Sequence, residues 1–290
     1  MTVPTPVWRG YDQAGLDRQY NSRATVPDPD VYLREYTERT RQAKAMLACV
    51  ENLHYGPHDD EKLDIYPASV AAAPVMVFLH GGDWRALSKE DAGFAAPAFV
   101  AAGAMFVALD FSAGPASTLP AMGAQVARAL AWLHANAASY GGDPARLHLA
   151  GHSSGANLAG QALMTDWPLE HGLPADLIKS ALLISGLGDL EPVRLSFRNR
   201  QLALTPATVA AVSLLHRRVV ARCPLLVAVG EMETADYRRQ SRAVADYWRA
   251  SGQPARLFEL PGRHHFDAPL EWADPASVLF AASRAQLGPA

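Results

Sequence analysis

From Pro74 onward the chain alternates short runs of uninterrupted apolar residues with longer stretches of helical character, and that rhythm admits few folds. VMVFL (75–79) is apolar at every position, as a strand covered on both faces must be. Further strands are expected at 105–109, 147–150, 178–184, 225–229 and 256–260. Helices are expected at 91–101, 121–138, 156–165 and 236–250, with a last one from about residue 275. Strands and helices joined this closely predict an α/β chain with a mostly parallel sheet flanked by helices on both faces. Upstream, 30–47 reads as a helix. Residues 50–55 and 62–66 read as short strands separated by the turn GPHDD, an antiparallel edge to the sheet. The polar stretch 1–29 is expected to wrap the body as an arm. Residues 188–222 break the rhythm: the segment is too long for a plain crossover, and its DLEP and TPATVAAVSLLHRRVV runs suggest helices. It reads as a small helical lid over the carboxyl edge of the sheet, inserted in a single domain spanning 1–290.

Composition narrows the partners. With 49% hydrophobic and 19% charged residues the chain can bury a core and is not of the disordered class. Lys and Arg number 26 against 29 Asp and Glu, so no basic excess exists to neutralise a nucleic-acid backbone. Residues 92–109 carry no charge and have the length of a membrane span, but Pro97 and Gly103 interrupt them and many are alanine. A helix followed by a strand is the better reading, and no membrane association is expected. The first residues lack a basic region followed by an apolar run. The two cysteines, Cys49 and Cys223, make no disulfide framework, so a reducing, cytoplasmic location is expected.

The chemistry begins at Gly151-His152-Ser153-Ser154-Gly155, a G-x-S-x-G pattern between the strand LHLA and the helix ANLAGQAL. A nucleophile there must stand clear of the sheet on a tight turn, and flanking glycines remove side chains that would collide. His80-Gly81-Gly82-Asp83-Trp84 follows VMVFL directly. Acyl transfer builds charge on a carbonyl oxygen, and the amides of Gly81, Gly82 and Ser154 are the candidate donors for it. His80 is expected to hold the loop by hydrogen bonding. A serine needs a base, expected after the last strand, where His264 and His265 stand; His265 is favoured. An acid should follow the strand LLVAV. Glu231, Glu233 and Asp236 lie there, and Glu233 is favoured with Asp236 as the alternative, since Asp236 suits the first turn of a helix capped by Thr234. His54, His58, His134, His148, His171 and His216 read as surface or core histidines. His54 and His58 beside Asp59 and Asp60 only faintly suggest a metal cluster, so no metal and no cofactor is expected. Trp84 is either a wall of an aromatic slot or packing beneath the loop, and Asp83 lies near the pocket.

The order Ser153, acid, His265 is that of the α/β-hydrolase fold. Within that fold the chain resembles the kynurenine formamidase (arylformamidase)-like branch of esterases and lipases. The resemblance rests on YNSRATVPD (20–28), YGPHDDEKLDIYP (55–67), HGGDW (80–84), GHSSGANL (151–158), SGLGDLEPV (185–193), ETADYRRQS (233–241) and HHFD (264–267), which together span nearly the whole chain. It implies Ser153 as nucleophile, His265 as base, and Glu233 where the branch often places an aspartate. Two departures fall near the pocket: Asp83 stands where an aromatic is common, and ALDFSAGP (108–115) replaces a Tyr-Arg-Leu-Ala-Pro type of segment. The function implied is a metal-free serine hydrolase acting on a small, aromatic ester or formamide, with room for a homodimer. The alternatives are a general carboxylesterase or lactonase, and a non-catalytic binding module of the same fold.

Overall fold

The computed structural model describes residues 5–288, so the first four residues of the 1–29 arm and the last two of the chain lie outside the described residues. Eight strands form one sheet: β1 (Val50–His54), β2 (Lys62–Tyr66), β3 (Ala73–Leu79), β4 (Met105–Leu109), β5 (Gly142–His152), β6 (Ile178–Ile184), β7 (Leu225–Gly230) and β8 (Ala255–Leu260). Their spatial order is β1-β2-β4-β3-β5-β6-β7-β8. The first two run antiparallel at the edge, β2 is antiparallel to β4, and all the later pairs are parallel. The helices are α1 (Gln13–Gln19), α2 (Asp30–Met46), α3 (Ala96–Ala101), α4 (Leu119–Asn136), α5 (Ser154–Leu163), α6 (Trp167–His171), α7 (Glu191–Leu195), α8 (Asn199–Leu202), α9 (Pro206–Val212), α10 (Ala235–Ala250), α11 (Ala268–Trp272) and α12 (Val278–Gln286).

Alternate residues of each strand enter opposite layers. Val75, Val77 and Leu79 of β3 join one buried cluster with residues of α4, α5 and α10. Met76 and Phe78 join a second cluster with Tyr36 of α2, Phe99 of α3, Trp272 of α11 and Phe280 of α12. Both faces of the central strands are therefore covered, which is why they read as unbroken apolar runs. Ion pairs centred on buried Asp64 tie the antiparallel edge to α2: Lys44 Nζ lies 2.8 Å from Asp64 and reaches the exposed Glu51 and Glu90 at 2.7 and 2.6 Å.

Residues 92–109 form a short 3-10 turn, α3 and β4, and among the described residues no helix is long and apolar enough to cross a membrane. The helix expected over 91–101 starts only at Ala96. Two 3-10 turns, Lys89–Asp91 and Gly93–Ala95, precede it, because Pro97 lacks an amide and opens a helix more readily than it continues one. The five-residue helices α6 and α11 went unseen in the sequence; each also has proline in its first turn and is too short to show a period.

Segment 188–222 holds α7, α8 and α9. Much of it is packed down: Leu190, Val193, Leu204, Val209, Val212 and Leu214 are buried in the first cluster. Asn157 of α5 pins it by donating to the carbonyls of Leu187 and Val212 at 3.1 and 3.0 Å.

Buried His148 contributes a pH response. His148 of β5 meets Ser180 of β6 at 2.8 Å, and burial, with Arg146 and Lys179 nearby, pushes its pKa down from 6.5 to about 4. The unfolded chain therefore binds a proton that the folded one refuses. Stability is lost as pH falls from about 6.5 toward about 4, at a cost of order 3 kcal/mol. His148→Asn is expected to flatten the fall of the melting temperature between pH 7 and pH 4.5; an unchanged slope would assign the acid sensitivity elsewhere.

Candidate active site

Chain connectivity puts the site between β3 and β5. The connection leaving β3 runs to β4 on one side and that leaving β5 runs to β6 on the other, so the crevice at their carboxyl ends stays open. The parallel register pairs Leu79 with Gly151, which sets residues 80–82 beside residues 152–154.

Ser153 closes the turn between β5 and α5 with φ 54° and ψ −118°, a conformation costly for any residue with a side chain. Its amide donates to the carbonyl of Ile184 at 2.9 Å, and its carbonyl accepts from Ala156 at 3.1 Å. A Cβ at Gly155 would stand 2.3 Å from the carbonyl oxygens of both Leu79 and His80, so no larger residue lets the turn sit against β3.

Loops from three other strands complete the arrangement. His265, beyond β8, brings Nε2 to 3.0 Å from Ser153 Oγ. Its Nδ1 lies 2.7 Å from Glu233 Oε2, beyond β7. The other oxygen of Glu233 accepts from Ser185 Oγ at 2.5 Å and from the Gly230 amide at 2.9 Å. Ser153, His265 and Glu233 are each no more than 5% exposed. His264 faces away: its Nδ1 accepts from the Phe266 amide at 3.1 Å and its ring meets Tyr32 edge-on. Asp236 is engaged elsewhere, in the first turn of α10, with Tyr20 and with Arg239 Nε at 2.5 Å. Glu231 accepts from the Gly262 amide.

His152, the residue before Ser153, belongs to the site although the sequence reading passed over it. Its Nε2 donates to the carbonyl of His265 at 2.9 Å, which holds the loop beyond β8 to the turn at Ser153. Burial and the neighbouring His265 hold its pKa well below the usual range, so it stays neutral. Its place in the x position of the pattern was the only available signal.

The amides of Gly81, Gly82 and Ser154 donate to no acceptor among the described residues. Gly82 takes φ +103°, and a Cβ there would lie 1.9 Å from the Ala86 carbonyl oxygen. His80 steadies this loop: Nδ1 donates to the Gly81 carbonyl at 2.8 Å, Nε2 lies 3.3 Å from Asp110, and the ring stacks on Phe111.

Ser153, His265 and His152 open onto a cavity of about 160 Å³. Leu33, Tyr36, Leu87 and Phe266 give it an apolar side; Asp83, Arg85, Arg23 and Arg198 give it a charged one. Arg198 is the residue of segment 188–222 that reaches this wall. Trp84 does not form part of it. Trp84 is 1% exposed and joins the core beneath the loop, while Asp83 lines the cavity.

Comparison with known proteins fits this geometry. The family model BD-FAE matches residues 63–170. Kynurenine formamidase of Salmo salar is 30% identical over 277 residues, covering 90% of this chain and 91% of that one. The chain belongs to the kynurenine formamidase family. This family member is also 30% identical over 243 residues to esterase LipQ of Mycobacterium tuberculosis, covering 75% of this chain and 57% of that one. A solved structure from Silicibacter sp. TM1040 superposes with TM-score 0.80 at 24% identity, covering 92% of this chain and 97% of that one. The family member is thus an enzyme, a serine hydrolase of the esterase and formamidase type with the α/β-hydrolase fold.

Proposed function

We propose that this enzyme hydrolyses a small aryl formamide, with Ser153 as nucleophile, His265 as base and Glu233 as the acid. The reading rests on the unbroken line of contacts from Ser153 Oγ through His265 to Glu233, at 3.0 and 2.7 Å. In it, Ser153 Oγ attacks the formyl carbon while His265 Nε2 takes the hydroxyl proton. Glu233 holds Nδ1–H in place and stabilises the imidazolium. The oxyanion of the tetrahedral intermediate is received by the free amides of Gly81, Gly82 and Ser154. Collapse breaks the C–N bond as His265 returns the proton to the leaving arylamine nitrogen. Water, deprotonated by His265, then attacks the formyl ester on Ser153 and releases formate.

Supporting an aromatic leaving group, the cavity of about 160 Å³ is close to the 150 Å³ or so that admits a benzene ring, and Tyr36 and Phe266 flank it. The test has two parts. A fluorophosphonate probe is expected to label Ser153, read by mass spectrometry of the modified peptide; an unlabelled Ser153 favours a binding module. Formanilide is then compared with 4-nitrophenyl acetate. Turnover of the formamide supports the reading, and turnover of the ester alone makes the enzyme a general carboxylesterase.

A further inference from the structure

His152 has one ring nitrogen to spare. Nε2 carries a proton, since it donates to the carbonyl of His265 at 2.9 Å. Burial and the neighbouring His265 keep the ring neutral, so Nδ1 bears a lone pair and can only accept. Nothing among the described residues donates to it. Nor is it sealed away by packing: His152 stands beside Ser153 in the cavity wall, and Nδ1 is not one of the fully enclosed unpaired atoms of the fold. A Cβ on Gly81 would lie 2.9 Å from Nδ1. Glycine at 81 thus lets this edge of the imidazole lie against the loop whose amides are the oxyanion donors.

Other polar side chains of the wall are already engaged. Asp83 forms an ion pair with Arg198 at 2.8 Å, and Ser22 Oγ accepts from Arg198 at 3.4 Å. The Tyr36 hydroxyl donates to the Phe266 carbonyl, and His265 Nε2 faces Ser153 Oγ. The lone pair at His152 Nδ1 is left without a donor, one residue from the nucleophile.

Amides and esters differ in what they bring to such an acceptor. Once Ser153 Oγ has added to a formanilide, the C–N bond is single and the nitrogen pyramidal. Its lone pair must face His265 to take the proton, which turns its N–H elsewhere in the site. Enclosed without an acceptor, that N–H loses a hydrogen bond just as the barrier is crossed. An ester has oxygen at the same place and no hydrogen to satisfy.

We infer that His152 Nδ1 accepts a hydrogen bond from the scissile N–H of the substrate and so raises turnover of formamides relative to formyl esters. No proton moves to Nδ1: the Ser153 proton still travels through His265 Nε2 to the leaving nitrogen. An ester in the same site sets an oxygen lone pair against that of Nδ1 and leaves the acceptor unpaired. The inference rests on the formamidase reading and names the residue that gives the site its preference for one bond over the other.

Formanilide and phenyl formate yield the same formyl-enzyme and differ at the leaving atom, so the ratio of their kcat/KM values reports acylation. His152→Gln keeps an N–H donor for the His265 carbonyl and removes the Nδ1 lone pair. His152→Asn keeps an acceptor near the Nδ1 position and removes the donor. Both variants are expected to lose activity on both substrates, because both disturb the site; the ratio separates them. The formanilide to phenyl formate ratio is expected to fall about tenfold or more in His152→Gln and to stay within about threefold of the parent in His152→Asn. N-methylformanilide, which has no N–H, tests the unmodified enzyme and needs no variant to fold. Its kcat/KM is expected to be about tenfold or more below that of formanilide, and the gap to narrow in His152→Gln. An unchanged ratio in His152→Gln, an equal fall in both variants, or N-methylformanilide cleaved as fast as formanilide overturns the inference and leaves formamide hydrolysis standing. An unmodified enzyme that cleaves phenyl formate but not formanilide overturns both.

Discussion

Ser153→Ala is expected to lower kcat/KM for 4-nitrophenyl acetate by on the order of 10⁴-fold or more, with little change in melting temperature. The size follows from what remains. His265 keeps its bond to Glu233 at 2.7 Å, and the amides of Gly81, Gly82 and Ser154 still have no acceptor among the described residues, but nothing at 153 can bond to the acyl carbon. Any remaining hydrolysis needs water to enter a position held by Oγ. The fold should not suffer, because alanine retains the Cβ and so the same unfavourable φ of 54°. Activity near the parent level in this variant removes Ser153 from the mechanism. Measuring kcat and KM separately sharpens the result, since a nucleophile lost from an intact cavity acts on kcat.

Glu233→Gln is expected to cost about 10³- to 10⁴-fold in kcat, far more than its small change in shape suggests. Oε1 is committed as an acceptor to Ser185 Oγ at 2.5 Å and to the Gly230 amide at 2.9 Å. The glutamine must therefore place its oxygen there and its NH2 group at the position of Oε2, against His265 Nδ1. An NH2 group donates, so Nδ1 must accept, and the ring proton moves to Nε2, the atom 3.0 Å from Ser153 Oγ. In that tautomer His265 cannot take the serine proton. Asp236→Asn is the control. Asp236 meets Tyr20 and Arg239 rather than His265, so its loss should show in stability while kcat stays within about tenfold of the parent. If the Asp236 variant is the less active of the two, the acid is misassigned.

The legible parts of this chain were those in which local chemistry and tertiary demand coincide. The central strands are covered on both faces, so their apolar runs stand out with no alternation to confuse them. The turn at Ser153 needs glycine at 155 because the backbone of β3 passes within reach of any Cβ, and that contact is written into the sequence as a pattern. Thr234 caps α10 and Asp236 occupies its first turn, as helix-end chemistry suggests. The helices α6 and α11 were not legible, since five residues cannot display a period. Nor was the cavity wall, because Ser22, Tyr36, Asp83, Arg198 and Phe266 reach it from five separate stretches.

By itself the sequence determined the class of fold, the strand that presents Ser153, and the chain order of Ser153, the carboxylates beyond β7 and the histidines beyond β8. These follow from period, turn chemistry and connection length, which act over a few residues at a time. Only the tertiary structure decided that His265 rather than His264 faces Ser153, and that Glu233 rather than Asp236 meets the imidazole. It also decided that Trp84 goes into the core while Asp83 turns toward Arg198. Neighbouring residues in a loop share composition and position, and what separates them is the direction of each side chain. That direction is set by distant partners such as Ser185 and Tyr20, which no local pattern records.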